Sequence, residues 1–582
     1  MVKIKTGWMV KYIDTDVVIV GSGISGCTAA IECRKLGLNV VILEKGLFAR
    51  SGSSRMGRRF IIWTSNIPRY SRWRGGSGAG MVAWWEDPEL RKLCSKIIRG
   101  DSQEGWSYAA ELESLGVFFR RYPDGTVWPE PTVGLHSMKT DQVGKMILQV
   151  LGPEVKRRGA IVLEETMATK VLTRNGRAVG VTALSIRDGN MLVISAKATI
   201  IATGGTTWYP TSSVPDGLSG DGLVMALMAG AELADICELV WYGVYKNPRV
   251  PPKGWRFSVA AWSAKPLDWT TAKFLNKYGE DILQKEEYKK LIEEAKAHGM
   301  DGKNLSIPIW LMTYIVASEI AAGRGTERGG VYVSYKHMSK ETLELMKTTW
   351  SRYDYFKKIG LDPTNDLIEI SFIPHTNCGG IVVDSNFETC VPCLFAIGGV
   401  ITNPSIAMHL CIGQAKHAAK SVANRVKDLE LLPPDEEQIK NEGDRIFSYI
   451  EGPMLEGAIP PAKVKKMIKN ILQEKCYYWK NEKDMLEGLS MLEKLKHEII
   501  PKMRLESNSR VYNQGLVEAL ETINLLTLSE IFIEMALMKK GSWGTFRRTD
   551  YPEESNFFTS IRVKIVNGEK KYRTINVPIP ED

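Results

Sequence analysis

The chain has 582 residues, more than one hydrophobic core usually serves, so about two to four domains are expected. It is 44% hydrophobic and 25% charged, as ordinary globular proteins are, and its formal charge of +9 is spread along the length without a basic block or tail, which argues against a nucleic-acid partner. No stretch approaches the ~18 uninterrupted apolar residues of a membrane helix, the N-terminus MVKIKTGWMVKYIDTD has no signal-peptide hydrophobic region, and nine scattered cysteines do not suggest a disulfide framework, so the expected setting is the cytoplasm without direct membrane insertion.

After a charged leader, DVVIV (16–20) reads as a buried strand, residues 28–36 as a short helix opening on glycine, and NVVILEK (39–45) as a second strand. This βαβ alternation predicts a parallel sheet. From Met167 to Gly205 short β-rich runs follow, with a hairpin at Asn175-Gly176, a turn at Asp188-Gly189, and the strand KATIIATGG ending on a glycine pair. Cys237 to about Asn365 mixes helix signals with tryptophans and prolines and carries no glycine-rich loop, as an inserted domain would. Strand signals return in GIVVD and LFAIGG, and a helical pattern covers 412–426. LPPDEE (432–437) reads as a linker, 438–540 as a helical bundle, and IRVKIVNGEKKYRTINV near the C-terminus as a hairpin.

Gly21-Ser22-Gly23-Ile24-Ser25-Gly26 falls between a predicted strand and a predicted helix, the context that gives a GxGxxG run its meaning. The first glycine allows a tight turn, the second lets backbone approach a pyrophosphate, and the third lets helix pack on strand, with the helix N-terminus facing the phosphates. Glu44, at the end of the second strand, is positioned to accept from a ribose 2′-hydroxyl, and an acid there argues against a 2′-phosphate. A plain strand-to-helix turn is the alternative, and the loop does not choose between NAD and FAD. The following run ARSGSSRMG (49–57) offers donors and bare backbone but almost no apolar surface, as a wall for something polar and anionic would.

The order of motifs resembles the flavoprotein subunits of the fumarate reductase and succinate dehydrogenase superfamily, which includes aspartate oxidase and the adenylylsulfate reductase alpha subunit. The residues that carry it are GSGISG, EKGLFARSG, ATGG, SGDG followed by AGAEL, the His-x-x-Cys-Gly-Gly of PHTNCGG, LFAIGG, the bundle, and SWGTFRRTDYP. The resemblance implies an α/β fold with a Rossmann-like FAD-binding domain in two parts (1–236 and 366–431), an inserted capping domain (237–365), a helical domain (432–540) and a small tail (541–582). It implies FAD contacts from Gly21, Gly23, Ser25, Gly26, Glu44 and Lys45, from Arg50, Ser51, Gly52 and Ser53, from Ala168, Thr203, Gly204, Gly205 and Asp221, and from Gly398, Gly399, Ser405 and Ile406. Where the succinate dehydrogenase pattern has the histidine of covalent flavin attachment this chain has Gly52, so FAD is expected without a covalent bond.

The dicarboxylate-reducing members carry a Gln-Phe-His-Pro-Thr-Gly run, an Arg in Thr-Glu-Gly-x-Arg-Gly and another in His-Gly-Ala-Asn-Arg. Here these regions read ELVWYGVYKNP, RFSVAAW and ITNPSIAMHL, and only His375 survives. A dianion without cationic partners binds poorly, so succinate and fumarate are not the expected substrates. The departures point to the adenylylsulfate reductase branch, similar without being equivalent. His375 is the candidate acid, base or donor, and Arg249 and Arg256 are candidate anion anchors; a structural histidine and surface arginines are the plain alternatives. Trp208, Trp255 and Trp262 could wall a flavin or simply fill a core, and His409 and His417 read as packing or surface residues. Cys390-Val-Pro-Cys393 stands alone as a CxxC, so no metal site is assigned, and Cys393 takes the place of a family glycine in this turn. The expected arrangement is a catalytic subunit working on a small-molecule substrate with a ferredoxin-like iron–sulfur partner, or else a flavin relay with no substrate of its own.

Overall fold

A computed structural model of the chain describes residues 2–3, 9–57, 60–61, 86–98, 103–119, 134–135, 143–215, 217–246, 272–297, 309–349, 353–402, 408–451, 458–553, 555 and 557–578. The first long strand, β1 (Met9–Val20), ends in the fully buried run Val17 to Ile19, an unbroken apolar stretch suited to a strand covered on both faces. It starts well before Asp16, because its polar first half pairs with Val2–Lys3 on one side and with a later strand on the other. Helix α1 (Ile24–Lys35) begins inside the glycine loop, ahead of the expected Thr28, and strand β2 (Val40–Leu43) follows. Helix α2 (Val143–Arg157) packs on α1 and leads into β3 (Ile161–Leu163), β4 (Thr166–Arg174), β5 (Arg177–Ser185) and β6 (Met191–Ile201).

These six strands run in the order β3-β2-β1-β6-β5-β4, and Val2–Lys3 beside β1 and Leu394–Ala396 beside β6 make the sheet eight-stranded. The β3-β2-β1-β6 half is parallel, with Val20 opposite Leu43 and Ile201, and the rest antiparallel, so the sheet is mixed. The β4–β5 hairpin turns on Asn175 and Gly176, both at positive φ, the conformation an Asn-Gly hairpin requires.

After α3 (Asp221–Met228), a second sheet forms from β7 (Leu239–Tyr245), β8 (Lys273–Leu275), β9 (Val331–Ser334) and β10 (Ile368–Asn377), in the order β7-β10-β9-β8. Its own apolar cluster, including Phe274, Leu311, Ile315 and Phe356, is distinct from the main core. Because β10 pairs with β7 along its length, the sheet runs past residue 365, and the segment bearing His375 belongs to this second sheet.

The chain then returns to the first sheet through β11 (Leu394–Ala396), parallel to β6, and enters α4 (Met408–Val426), which packs on α1. GIVVD contributes only Gly380–Ile381 as strand. The bundle holds Glu436–Glu451, α5 (Pro461–Lys475), Glu482–Lys494 and α6 (Gln514–Met538). It shares the main core with the first sheet. The tail hairpin, Phe557–Val566 with Glu569–Pro578, adds to a small sheet through Leu233–Ala234.

Candidate functional site

The parallel strands end together, and the residues just beyond Val20, Leu43 and Ile201 open into a cavity of about 540 Å3. This is where ligands sit in open α/β sheets. Gly21 turns the chain at φ +102°, and a Cβ on it would lie 2.6 Å from the Ala202 carbonyl oxygen. A Cβ on Gly26 would stand 1.9 Å from the Gly21 carbonyl oxygen, so only glycine lets α1 start this close to β1. The consequence is a helix N-terminus whose first residues, Gly23, Ile24 and Ser25, form the cavity wall with the partial positive charge an anion needs, the Ile24 N–H donating to Ser54 Oγ (3.2 Å).

Glu44 is buried on the same wall. Its Oε2 accepts from the Ser22 N–H (3.1 Å) and hydroxyl (2.7 Å), and its Oε1 from the Gly46 N–H (2.7 Å). A carboxylate has about four acceptor positions, so one remains for a ribose hydroxyl. The Thr203 hydroxyl, also on the wall, is buried without a hydrogen-bond partner among the described residues. An anion-binding helix end, an acid with spare acceptor capacity and an orphaned hydroxyl suit a dinucleotide.

Lys45 is the hub of the charges beside Glu44. Its Nζ donates to Ser219 Oγ (2.7 Å), Asp221 Oδ2 (2.8 Å) and Glu521 Oε1 (2.5 Å), and Glu521 pairs also with Lys465. Burial opposes charge on both Lys45 and Asp221, but their attraction outweighs it: the ammonium is raised above the ordinary lysine value and the carboxyl held below its own.

At the other end stands His375, buried in β10. Its Nδ1 lies 2.8 Å from Ser213 Oγ, and Ser213 N–H donates to the Pro374 carbonyl. The Tyr242 ring, from β7, meets the imidazole edge-on with centroids 4.6 Å apart. Thr376, Gly205 and Gly399 complete this end.

Of the residues singled out in the sequence, Gly21, Gly23, Ser25, Glu44, Lys45, Ser51, Gly52, Ser53, Ala168, Thr203, Gly204, Gly205, Asp221, His375 and Gly399 all line this one cavity. Gly26 and Gly398 lie behind the wall; a Cβ on Gly398 would meet Ser25 Oγ at 2.4 Å. Arg50 is exposed and off the wall, because its segment turns outward there. Arg249, Arg256, Ser405, Ile406, Trp255 and Trp262 lie outside the described residues. Trp208 is core, packed on Phe532 with centroids 4.9 Å apart. His409 is fully buried and its imidazole is pushed down to about 3 by burial, while His417 is half-buried on the same helix. Cys393 is buried at φ +64°, a glycine-like position, and burial raises its thiol, which opposes thiolate chemistry.

The sequence reading passed over Tyr242, Ser213, Met408 and Cys411, and the bundle residues Lys465, Gln514, Val517, Glu518 and Glu521. Gln514, Glu518 and Glu521 had a signal: polar residues repeating every three or four positions in an otherwise apolar helix.

The FAD binding domain family matches residues 16–57 and 103–411, and the family described as fumarate reductase flavoprotein C-term matches 465–576. The chain is therefore an FAD-dependent oxidoreductase. More narrowly, it belongs to the flavoprotein subunits of the fumarate reductase and succinate dehydrogenase family. Among curated relatives, a fumarate reductase (CoM/CoB) subunit of Methanothermobacter marburgensis is 25% identical over 566 residues, covering 93% of this chain and 95% of that one. The succinate dehydrogenase flavoprotein subunit of Rickettsia conorii is 23% identical over 584 residues, covering 93% and 91%. The fold is shared with E. coli quinol fumarate reductase (TM-score 0.79, 19% identity, 98% and 97% covered) and with adenylylsulfate reductase from Archaeoglobus fulgidus (0.73, 19%, 99% and 97%). No helix among the described residues is long and apolar enough to cross a membrane.

Proposed function

We propose that the chain is the catalytic flavoprotein subunit of a heteromeric enzyme, exchanging electrons between a small substrate held against His375 and a ferredoxin-like iron–sulfur subunit in the cytoplasm. The observation that carries this is that His375, from the capping sheet, lines the same cavity as the dinucleotide loop. The residues on the cavity wall, from Gly21 to Asp221, would hold FAD non-covalently, Gly52 offering no attachment point, and bound FAD supplies hydride or single-electron exchange. The Ser213 bond commits Nδ1, so the imidazole is held in one orientation. If Ser213 donates, Nε2 carries the proton and can give it to a substrate; in the other tautomer it accepts one. Tyr242 braces the ring from the side, and Arg249 and Arg256 are proposed to anchor the substrate.

Succinate and fumarate are not the proposed substrates. Among the described wall residues the cations are Lys45 and Lys465, both paired to carboxylates away from His375. The partner reading is supported by relatives named as subunits of reductases and dehydrogenases. The loss of the family's carboxylate-binding arginine runs favours a second reading, a flavin relay with no substrate of its own. One experiment separates the two. The purified protein is reduced, freed of reductant, and its flavin absorbance followed as small acceptors are added with and without an iron–sulfur protein. Reoxidation by a small molecule alone supports the enzyme; reoxidation only through the protein supports the relay, and reoxidation by fumarate at full rate overturns the substrate assignment.

A further inference from the structure

Helix α6 is buried and apolar for most of its 25 residues, yet Gln514, Glu518, Glu521 and Asn524 recur at spacings of three or four and so fall on one stripe. With Val517, the first three of these line the cavity. The stripe is anchored on both sides. Asn524 Nδ2 donates to Asp221 Oδ1 (2.9 Å), and Glu521 accepts from Lys45, next to Glu44. Just ahead of the helix, the Tyr512 N–H donates to the Ile186 carbonyl (2.7 Å), which sets Gln514 beside Ile186, a wall residue on the Thr166 to Ala168 side. The stripe therefore closes the Glu44 end of the cavity. Glu518 is a half-buried carboxylate on that wall, without an ion-pair or hydrogen-bond partner among the described residues.

We infer that the helical domain supplies half of the cofactor's nucleoside subsite: Gln514, Val517 and Glu518 face the adenosine end of FAD, and the bound dinucleotide staples the helical domain to the FAD-binding domain. The chemistry matches. Ribose hydroxyls and the adenine amine donate hydrogen bonds, the Glu518 carboxylate and the Gln514 amide oxygen accept them, and Val517 offers apolar surface to a base. A phosphate on this ribose would meet Glu44 and Glu518. The FAD binding domain match ends at residue 411, so these contacts lie outside the region that family describes. The inference rests on FAD binding and is independent of which substrate meets His375.

FMN lacks the nucleoside, and ADP lacks the flavin, so the two separate the ends of the cavity. The full chain, stripped of cofactor, is followed by amide hydrogen exchange over 514–521 with FAD, FMN or ADP. FAD and ADP are expected to slow exchange there by about tenfold or more, and FMN to leave it unchanged. The double substitution Gln514→Ala, Glu518→Ala removes no ion pair, and is expected to weaken FAD by about tenfold or more with FMN affinity unaltered. Protection by FMN equal to that by FAD, no protection by FAD or ADP, or unchanged FAD affinity in the double variant each overturn the proposal. The substrate reading is tested by reoxidation of the reduced flavin and this inference by binding to the oxidised chain, so a failure of one is told apart from a failure of the other.

Discussion

At the Glu44 end of the cavity the wall is made of backbone turns and of charges already matched to one another across two domains. At the His375 end, His375, Thr376 and Tyr242 come from a second sheet with its own apolar cluster and meet Gly205 and Gly399 from the first. Lys45, Asp221, Glu521 and Lys465 hold the first end, so few changes there are tolerated, and the ligand it selects is the one common to the family. Around His375 stand Tyr242, Ser213 and Thr376, none of them in the main sheet. On the proposed function, one cavity thus separates holding a cofactor from choosing a substrate.

The largest expected break is at the first end. Gly26→Val would drive a side chain into the Gly21 carbonyl, which a Cβ alone already approaches to 1.9 Å. The turn cannot form around it, and the variant is expected to purify colourless; full flavin content by absorbance would remove the loop from the site. Next, at the other end, His375→Ala should keep stoichiometric FAD and lose about 10²–10⁴ in turnover, the range for a positioned acid or base. Undiminished turnover would take His375 out of the chemistry and make the contrast between the ends a matter of packing alone.

Removing one partner of the charge network leaves the others exposed to each other's uncompensated field. Fully buried pairs lose about 3–5 kcal/mol in this way. Lys45 is 24% exposed in its side chain, so Lys45→Met should cost less, about 2 kcal/mol in urea unfolding. The pH dependence follows from the directions. Asp221 sits below its unfolded value, so its contribution is full above about pH 4 and is lost as pH falls through the lower folded value. Lys45 sits above its unfolded value, so its contribution is full below about pH 10 and is lost only as pH rises further. Between about pH 5 and 9 the wild type minus Lys45→Met difference should therefore be flat, and shrink under acid. A difference that varies steeply near neutrality would mean another group governs this wall.

Non-covalent FAD is a sharper check on Gly52. Its φ is +72° with nothing within 4 Å of a Cβ, so the position has room for a longer side chain but a backbone that disfavours one. Acid precipitation should release all the yellow colour; flavin left on the pellet would mean attachment elsewhere.

How much of this the sequence carried depends on how local the cause was. The glycine loop and Glu44 were legible because strand, turn and helix are consecutive, and Gly21 and Gly26 answer contacts within the loop or at the end of the neighbouring strand β6. The reach of β1 back to Met9 was not, since its polar first half becomes strand only by pairing with β6, some 180 residues on. For the same reason no element is assigned from sequence to the HTN of β10: with Pro374 and polar neighbours it has weak strand character, and pairing with β7 makes it strand. The stripe on α6 was visible as spacing, but nothing in the spacing says what it faces. Cys393 was read as standing in for a glycine, and its positive φ gives the reason that turn favours one.

The smallest expected effect tests how the second end is built. Tyr242→Phe keeps the ring edge against His375 and deletes only the hydroxyl. One hydrogen bond contributes about 0.5–1.5 kcal/mol, so turnover should fall by no more than about tenfold, with FAD content and the pH profile unchanged. If the hydroxyl only steadies the substrate, the loss falls on KM. A loss as large as that of His375→Ala, carried in kcat and accompanied by a shifted pH profile, would move the proton-handling role to the phenol and leave the imidazole as its brace. The roles of the two residues would then be reversed, while the geometry that joins them stayed the same.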